Sequence, residues 1–219
     1  QKVFKADALA TGHYVKLEKG KIFVAKDKSK DQTYFLYNLK SKQLKNILFP
    51  LGNYAKEEVR GMARKWKLPV HNKPDSQEIC FVGESHYDFL KKYLKLKNGR
   101  IVDEEGNILG EHQGSFLYTL GQRSGLGLSG GPWYVVGIKK SQVIVSKSQR
   151  ALFKDSLECK EVNWLRKQKF PLSCQARIRY QGELFPVTAS KKNNYYQVKF
   201  KKNPRAITGG QSVVFYFKE

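Results

Sequence analysis

The stretch Lys73-Pro-Asp-Ser-Gln-Glu-Ile-Cys-Phe-Val-Gly83 separates two parts of the chain that differ in character. Within it, Cys80 follows a polar, acidic run and precedes a short apolar one, in a sequence that is otherwise rich in lysine. A thiol at such a junction can be partly exposed, and nearby positive charge lowers its pKa toward the reactive thiolate. Alternatively, Cys80 is a small apolar residue that enters a strand and stays inert. The residues alone leave both interpretations open.

The charge of the chain is far from balanced. Its 219 residues include 41 Lys and Arg against 19 Asp and Glu, a formal net charge of +22. A surplus of this size indicates a polyanionic partner, either nucleic acid or an anionic membrane surface. An AT-rich genome also raises the lysine content, so the charge by itself does not decide.

The apolar runs and the cysteines limit the class of protein further. No stretch approaches the ~20 apolar residues of a membrane span, and no signal-peptide pattern is present. The three cysteines form no CxxC pair, which argues against a zinc site and against a disulfide framework. We therefore expect a cytoplasmic protein without a metal site or membrane association. Residue 1 is Gln and leads directly into a motif, so we also expect a longer native chain.

The part before Lys73 has the features of an α/β domain. Residues 6–14 predict a short buried strand that ends in a tight turn at Gly12, where a backbone can approach a ligand closely. Asp31 is predicted to cap a helix that carries Tyr34 and Phe35. Residues 56–67 predict a second helix, because apolar residues recur there at helical spacing: Val59, Met62, Ala63 and Trp66. This pattern is typical of the last third of an α/β domain whose first strands lie upstream.

The part after Gly83 predicts mainly strands. Apolar runs flank turn residues and predict hairpins that pair 101–102 with 108–109 and 133–138 with 143–145. From about Phe153, regular short strands punctuated by turn signals are typical of a small barrel or sandwich. We therefore predict three domains: an α/β domain over 1–82, a small central domain over 83–152 and an all-β domain, barrel or sandwich, over 153–219.

Two local motifs have alternative interpretations. Gly125-x-Gly127-x-x-Gly130 matches a dinucleotide-binding fingerprint, but that fingerprint requires a following helix. Here Pro132 and an apolar strand pattern follow, so a loop is predicted. Arg179-Tyr180 combines a phosphate-binding cation with a base-stacking ring, as RNA-binding proteins do. An exposed aromatic residue on a strand is the alternative.

Taken together, nine short segments resemble those of the tRNA-specific 2-thiouridylase family, which thiolates the wobble uridine of certain tRNAs. The similarity covers essentially the whole chain, and the segments occur in this order: Ala10-Thr-Gly-His-Tyr14, Lys30-Asp-Gln-x-Tyr-Phe-Leu36, Phe49-Pro-Leu-Gly52, Asp75-Ser-Gln-Glu-Ile-Cys-Phe81, Gly110-Glu-His-Gln-Gly114, Tyr118-Thr-Leu-Gly-Gln-Arg-x-Gly-Leu-Gly127, Pro132-Trp-Tyr-Val-Val136, Arg179-Tyr180 and Thr208-Gly-Gly-Gln-Ser-Val-Val-Phe-Tyr216.

The resemblance implies a fold and a reaction. The fold is an adenine-nucleotide α-hydrolase-like α/β domain, present here in part, followed by a central domain and a β-barrel. ATP, with magnesium, adenylates the C2 oxygen of the uridine, and a cysteine persulfide then delivers sulfur with help from a second cysteine. Cys80 matches the persulfide cysteine and Gly12 an ATP contact. The positions that match tRNA contacts are His13, Lys30, Asp31, Gln32, Arg179, Tyr180 and Gln211. The implied partners are tRNA and a persulfide sulfur donor, either a cysteine desulfurase or a sulfur-carrier protein.

The sequence also departs from the family pattern. The glycine- and serine-rich ATP loop and the first catalytic cysteine are absent, and Cys159 and Cys174 match no catalytic position. We therefore expect this stretch alone to be inactive as a sulfurtransferase. Two alternatives follow: a non-catalytic module that binds tRNA or recruits a sulfur carrier, and a sulfur relay that accepts a persulfide without touching RNA.

Overall fold

The computed structural model describes residues 5–74 and 86–217. Contacts divide the chain into two compact units. The first unit comprises Gln1–Pro74, Glu158–Lys199 and Gln211–Glu219, and the second comprises Asp75–Leu157 and Phe200–Gly210, as far as their residues are described. Cys80 lies outside the described residues.

The first unit begins with short strands and helices. In chain order they are β1 (Leu9–Ala10), β2 (Lys16–Glu18), β3 (Lys21–Phe23), a 3-10 turn (Thr33–Leu36), α1 (Ser41–Leu44), β4 (Ile47–Leu48) and α2 (Lys56–Lys65). Strands β1 and β4 pair in parallel, and β2 and β3 form an antiparallel hairpin. Parallel pairing of β1 with β4 is the arrangement expected of an α/β sheet.

The described part of the second unit includes an α-helix and a four-stranded sheet. Its elements are α3 (His86–Tyr93), β5 (Gly99–Val102), β6 (Ile108–His112), β7 (Tyr134–Lys139) and β8 (Gln142–Ser146). The strand order is β6-β5-β8-β7, and both predicted hairpins are present. Alternate residues face a core of buried apolar side chains: Ile101, Leu126, Val135, Val143 and Val145.

The remaining strands form a five-stranded sheet, which lies in the part of the chain where regular short strands are predicted. They are β9 (Ser156–Cys159), β10 (Leu172–Arg177), β11 (Phe185–Lys191), β12 (Tyr196–Phe200) and β13 (Val214–Tyr216). The sheet order is β13-β10-β11-β12-β9. Ala176, Val187 and Val198 are buried on these strands, whereas Arg179 and Tyr180 follow the end of β10.

Three local predictions have different outcomes. The glycine-rich loop is confirmed: Gly125 and Gly127 have positive φ angles of 72° and 65°, and strand β7 follows instead of a helix. The helix expected after Asp31 is wrong, because only a 3-10 turn forms and the Asp31 side chain does not cap it. Helix α2 is confirmed, but none of its residues is buried.

Candidate nucleic-acid interface

Hydrogen bonds join the segments that contain His13 and Gln32. The Gln32 backbone N–H donates to the Tyr14 carbonyl at 3.0 Å, and the Tyr14 N–H donates to Gln32 Oε1 at 3.0 Å. His13 itself shares a hydrogen bond of 2.6 Å between its Nδ1 and the hydroxyl of Thr11. The two segments are therefore held side by side, although 18 positions separate Tyr14 from Gln32.

Asp31 is the buried anchor of the 30–32 segment, with only 3% of its surface exposed. Its Oδ1 accepts the Ala25 N–H at 3.1 Å. Its Oδ2 accepts the Thr33 hydroxyl at 2.7 Å and forms an ion pair with Arg177 Nη1 at 3.3 Å. Burial of a carboxylate is tolerated where a cation and several donors surround it. The carboxylate thus links the 30–32 segment to the end of β10.

Tyr216 on β13 closes the same network from the other side. Its hydroxyl is 3.0 Å from the Thr33 hydroxyl, and the guanidinium of Arg177 lies 5.4 Å from the centre of its ring. Burial raises the pKa of Tyr216, so the phenol stays protonated near neutral pH. The site therefore contains the Arg177 cation and the Asp31 carboxylate, and Tyr216 adds no second negative charge to it.

Three aromatic rings bring the 33–36 turn against Tyr180. The ring centres of Phe35 and Tyr180 are 4.3 Å apart with an interplanar angle of 38°, and Tyr34 meets Phe35 edge-on at 5.8 Å. The Tyr34 hydroxyl donates to the carbonyl of Ser212, next to Gln211, at 2.8 Å. Burial raises the pKa of Tyr34, which preserves that donor. Tyr180 and Gln211 are therefore tied to one aromatic cluster.

The turn after β10 also reaches the 29–32 segment. Gln181 Nε2 donates to the Ser29 carbonyl at 3.2 Å, and the Gly182 N–H closes the turn on the Arg179 carbonyl at 3.1 Å. Arg179 is exposed and Lys30 is partly exposed. The first unit thus brings together elements from four distant segments and presents cations beside aromatic rings, a combination suited to RNA.

Gly12 lies at the carboxyl end of β1, just after the point where Thr11 N–H bonds to the Leu48 carbonyl at 3.1 Å. The residue is exposed, and a Cβ built on it would meet only Leu51 Cδ1, at 3.9 Å. Packing does not require glycine here. An open backbone at the end of a parallel strand can be approached closely by a ligand.

Neither cysteine of the described residues has the properties of a nucleophile. Burial raises the pKa of Cys159 and of Cys174 to about 11 in each case. Both thiols are therefore protonated near neutral pH and react slowly. Within 5–74 and 86–217, His, Cys, Asp and Glu residues form no group of three that could hold a metal ion. In the same residues, no helix has the length and apolarity needed to cross a membrane.

Family models match almost the whole chain in three consecutive pieces. Residues 1–84 match a tRNA methyl transferase HUP domain, residues 87–147 a tRNA methyl transferase PRC-barrel domain and residues 154–219 an aminomethyltransferase β-barrel domain. Curated relatives named tRNA-specific 2-thiouridylase MnmA align with nearly all of the chain. The chain belongs to the tRNA-specific 2-thiouridylase family. The predicted order of an α/β domain, a central domain and a β-barrel is confirmed.

Three members of the family illustrate the similarity. The Clostridium tetani protein is 44% identical over 97% of this chain and 62% of its own length. The Clostridium kluyveri protein is 46% identical over 96% of this chain and 63% of its own. The Buchnera aphidicola protein is 43% identical over 97% of this chain and 63% of its own. The chain thus spans slightly less than two thirds of these 2-thiouridylases.

Sequence reasoning missed the residues that hold the interface together. The sequence did not indicate Thr33 or Arg177, and it indicated Tyr34 and Phe35 only as residues of a predicted helix. One signal was available: Tyr34 and Phe35 are adjacent, and adjacent residues of a helical turn point in different directions, so that burial of one does not imply burial of the other. Tyr34 is indeed buried, and Phe35 is 51% exposed.

Proposed function

We propose that the protein containing this chain is a tRNA-uridine 2-sulfurtransferase that acts on the wobble uridine. The observation that supports the proposal is that hydrogen bonds and ring contacts in the first unit join the segments that carry His13, Gln32 and Tyr180. Cations next to aromatic rings can bind phosphates and unpaired bases together. Similarity to 2-thiouridylases from several bacteria supports the reaction type.

We propose that Cys80 carries the sulfur as a persulfide. Its outer sulfur attacks C2 of the uridine, and the activated oxygen leaves as part of AMP. The thiolate of a second cysteine then attacks the Cys80 sulfur of this adduct, so that the sulfur–sulfur bond breaks, the outer sulfur stays on C2 and the two cysteines form a disulfide. In the alternative order, the second thiolate attacks the persulfide first, the same disulfide forms, and the hydrosulfide that is released attacks C2. ATP supplies the adenylyl group that makes the oxygen a good leaving group, with magnesium as its counterion. Within this chain, Gly12 would contribute open backbone to the bound nucleotide.

The other residues have supporting roles in this proposal. Lys30, Arg179 and Gln211 contact tRNA, together with His13, Gln32 and Tyr180. Asp31 acts through the position of its segment, because its carboxylate is occupied inside the protein. We further propose cytoplasmic location, a persulfide donor protein as partner and domain boundaries near 82/83 and 152/153.

The principal test replaces Cys80 by Ser in the complete natural polypeptide. We expect loss of 2-thiouridine formation on an unmodified tRNA transcript, since serine cannot hold a persulfide. Cys159→Ser and Cys174→Ser are the matched controls. Both should retain the reaction, because their partly buried thiols are protonated near neutral pH. Thiolation by Cys80→Ser protein would remove this residue from the mechanism.

The product distinguishes two reactions. The family models carry the description tRNA methyl transferase, whereas the relatives are named 2-thiouridylases. Mass spectrometry of digested tRNA separates replacement of oxygen by sulfur from addition of a methyl group. A methylated uridine that does not depend on Cys80 would contradict the proposal. Tight tRNA binding without any modified nucleoside would favour the non-catalytic module instead.

A further inference from the structure

Phe35 has an unusual position for a phenylalanine. It is 51% exposed, although its neighbours Thr33 and Tyr34 are buried. Its ring nevertheless has a defined place, because Tyr180 supports it at 4.3 Å and Tyr34 meets it edge-on. A large apolar ring that stays exposed while it is held in place suits a ligand with a flat apolar face.

The turn that carries Phe35 is anchored on both sides. Thr33 bonds to the buried Asp31 carboxylate, and the Tyr34 hydroxyl donates to the Ser212 carbonyl. These two anchors fix the consecutive residues Thr33 and Tyr34 inward, while the next residue, Phe35, is 51% exposed. The turn therefore holds the ring in place before a ligand binds, and this reduces the entropic cost of binding.

We propose that Phe35, supported by Tyr180, is a stacking platform for an unpaired base of the bound tRNA. The surrounding charge favours this occupant, since Arg179 precedes Tyr180 and Lys30 belongs to the anchored segment. Bases stack on aromatic side chains while cations hold the adjoining phosphates. The proposal rests on the tRNA-binding function above and adds a contact residue and a recognition mode to it.

The test measures binding of the complete polypeptide to two labelled RNAs of equal length. One is an unmodified tRNA anticodon stem-loop, and the other is a fully paired duplex. Phe35→Leu retains apolar bulk but removes the π face, and Phe35→Tyr retains the ring. We expect Phe35→Leu to bind the stem-loop roughly 5-fold to 100-fold more weakly, and Phe35→Tyr to bind it almost normally. Duplex binding should change little in either variant, because paired bases are not available for stacking.

Two controls separate this proposal from others. Phe153→Leu removes another half-exposed phenylalanine, which lies in the second unit, and should leave stem-loop binding unchanged. Thermal unfolding checks that Phe35→Leu is folded.

The supporting ring can be tested in the same way. Tyr180→Leu should weaken stem-loop binding as well, because Tyr180 holds the Phe35 ring. The variant that carries both substitutions should lose less binding free energy than the sum of the two single effects.

The results that would overturn the stacking platform differ from the result that would refute tRNA binding itself. Equal stem-loop binding by Phe35→Leu and wild-type protein would overturn the platform, even if thiolation proceeds. An equal loss for stem-loop and duplex would also overturn it, since the effect would then not concern unpaired bases. Failure of the wild-type protein to bind tRNA at all would instead refute the function on which the platform rests.

Discussion

At the scale of single residues, the hydrogen bonds of Asp31 change the role that the family resemblance alone implies for it. Its position matches a tRNA contact of the family, yet both of its oxygens accept hydrogen bonds from within the protein. Its neighbours Lys30 and Gln32 are partly exposed. A buried carboxylate between two accessible residues orients them, and we therefore treat it as a positioning residue.

Replacement of Asp31 by Ala should destabilise the protein strongly. The change leaves the mostly buried Arg177 guanidinium without its carboxylate, which costs about 3–5 kcal/mol of unfolding free energy. Asp31→Asn should cost less, because its amide oxygen can still accept one of the hydrogen bonds. Urea unfolding gives both values. The matched control is Lys26→Met, which breaks the exposed pair with Glu58 and should shift the midpoint little.

A stable Asp31→Ala protein would contradict this role. If that variant also lost tRNA binding, Asp31 would have to contact the RNA directly. The measurement that separates the two roles is the tRNA affinity of Asp31→Ala and Asp31→Asn proteins at a temperature where both are folded. A positioning role predicts that Asp31→Asn protein binds tRNA more tightly than Asp31→Ala protein.

At the scale of secondary structure, helix α2 shows what an apolar pattern can and cannot predict. The spacing of Val59, Met62 and Ala63 predicted the helix, and it forms over Lys56–Lys65. The same spacing places Trp66 on the apolar face of the helix, but Trp66, just beyond the helix, is 65% exposed. Periodicity depends on the local sequence alone, whereas burial also depends on a surface supplied from elsewhere.

Two glycines in this region should respond to alanine in opposite directions. Gly61 lies inside α2, and a Cβ added there would meet nothing within 4 Å beyond the helix's own backbone. Gly61→Ala should therefore stabilise the protein by about 1 kcal/mol through helix propensity. A Cβ at Gly52 would lie 2.0 Å from the Val15 carbonyl oxygen. Gly52→Ala should therefore destabilise the protein by about 1–3 kcal/mol.

Chemical denaturation of the two variants, each compared with wild-type protein, checks the pair. Gly52→Ala with unchanged stability would mean that the Phe49–Gly52 segment can move away from Val15 at little cost. A destabilised Gly61→Ala would mean that another surface approaches α2 closely at this position. Since the substitution is the same, its effect on the unfolded chain is similar, and the difference reports the folded state.

At the scale of the whole molecule, the order of domains and most strands could be predicted from sequence, because they depend on local patterns. The interface could be predicted only in part. His13, Lys30 and Arg179 followed from resemblance, but the contacts that assemble the site join distant positions. Asp31 and Arg177 are 146 residues apart, and Tyr34 and Ser212 are 178 apart. No local pattern encodes such pairs, and the exposure of Phe35 depends on them.

The net charge of +22 gives a last prediction about how the molecule binds RNA. Phosphates that are contacted release counterions, whereas distant lysines mainly attract the RNA from solution. Arg179→Ala should therefore weaken tRNA binding and reduce the slope of log affinity against log salt by about 1. Fluorescence titration at several salt concentrations measures that slope.

Two variants make the salt dependence decisive. Lys139 is exposed in the second unit, and Lys139→Ala removes an equal charge outside the proposed interface. For Lys139→Ala protein, the slope of log affinity against log salt should stay close to that of wild-type protein. Phe35→Leu should lower the affinity for tRNA without changing the slope, because stacking releases no counterions. Equal reductions in slope for Arg179→Ala and Lys139→Ala would mean that the positive charge acts diffusely, and Arg179 would then have no specific phosphate contact.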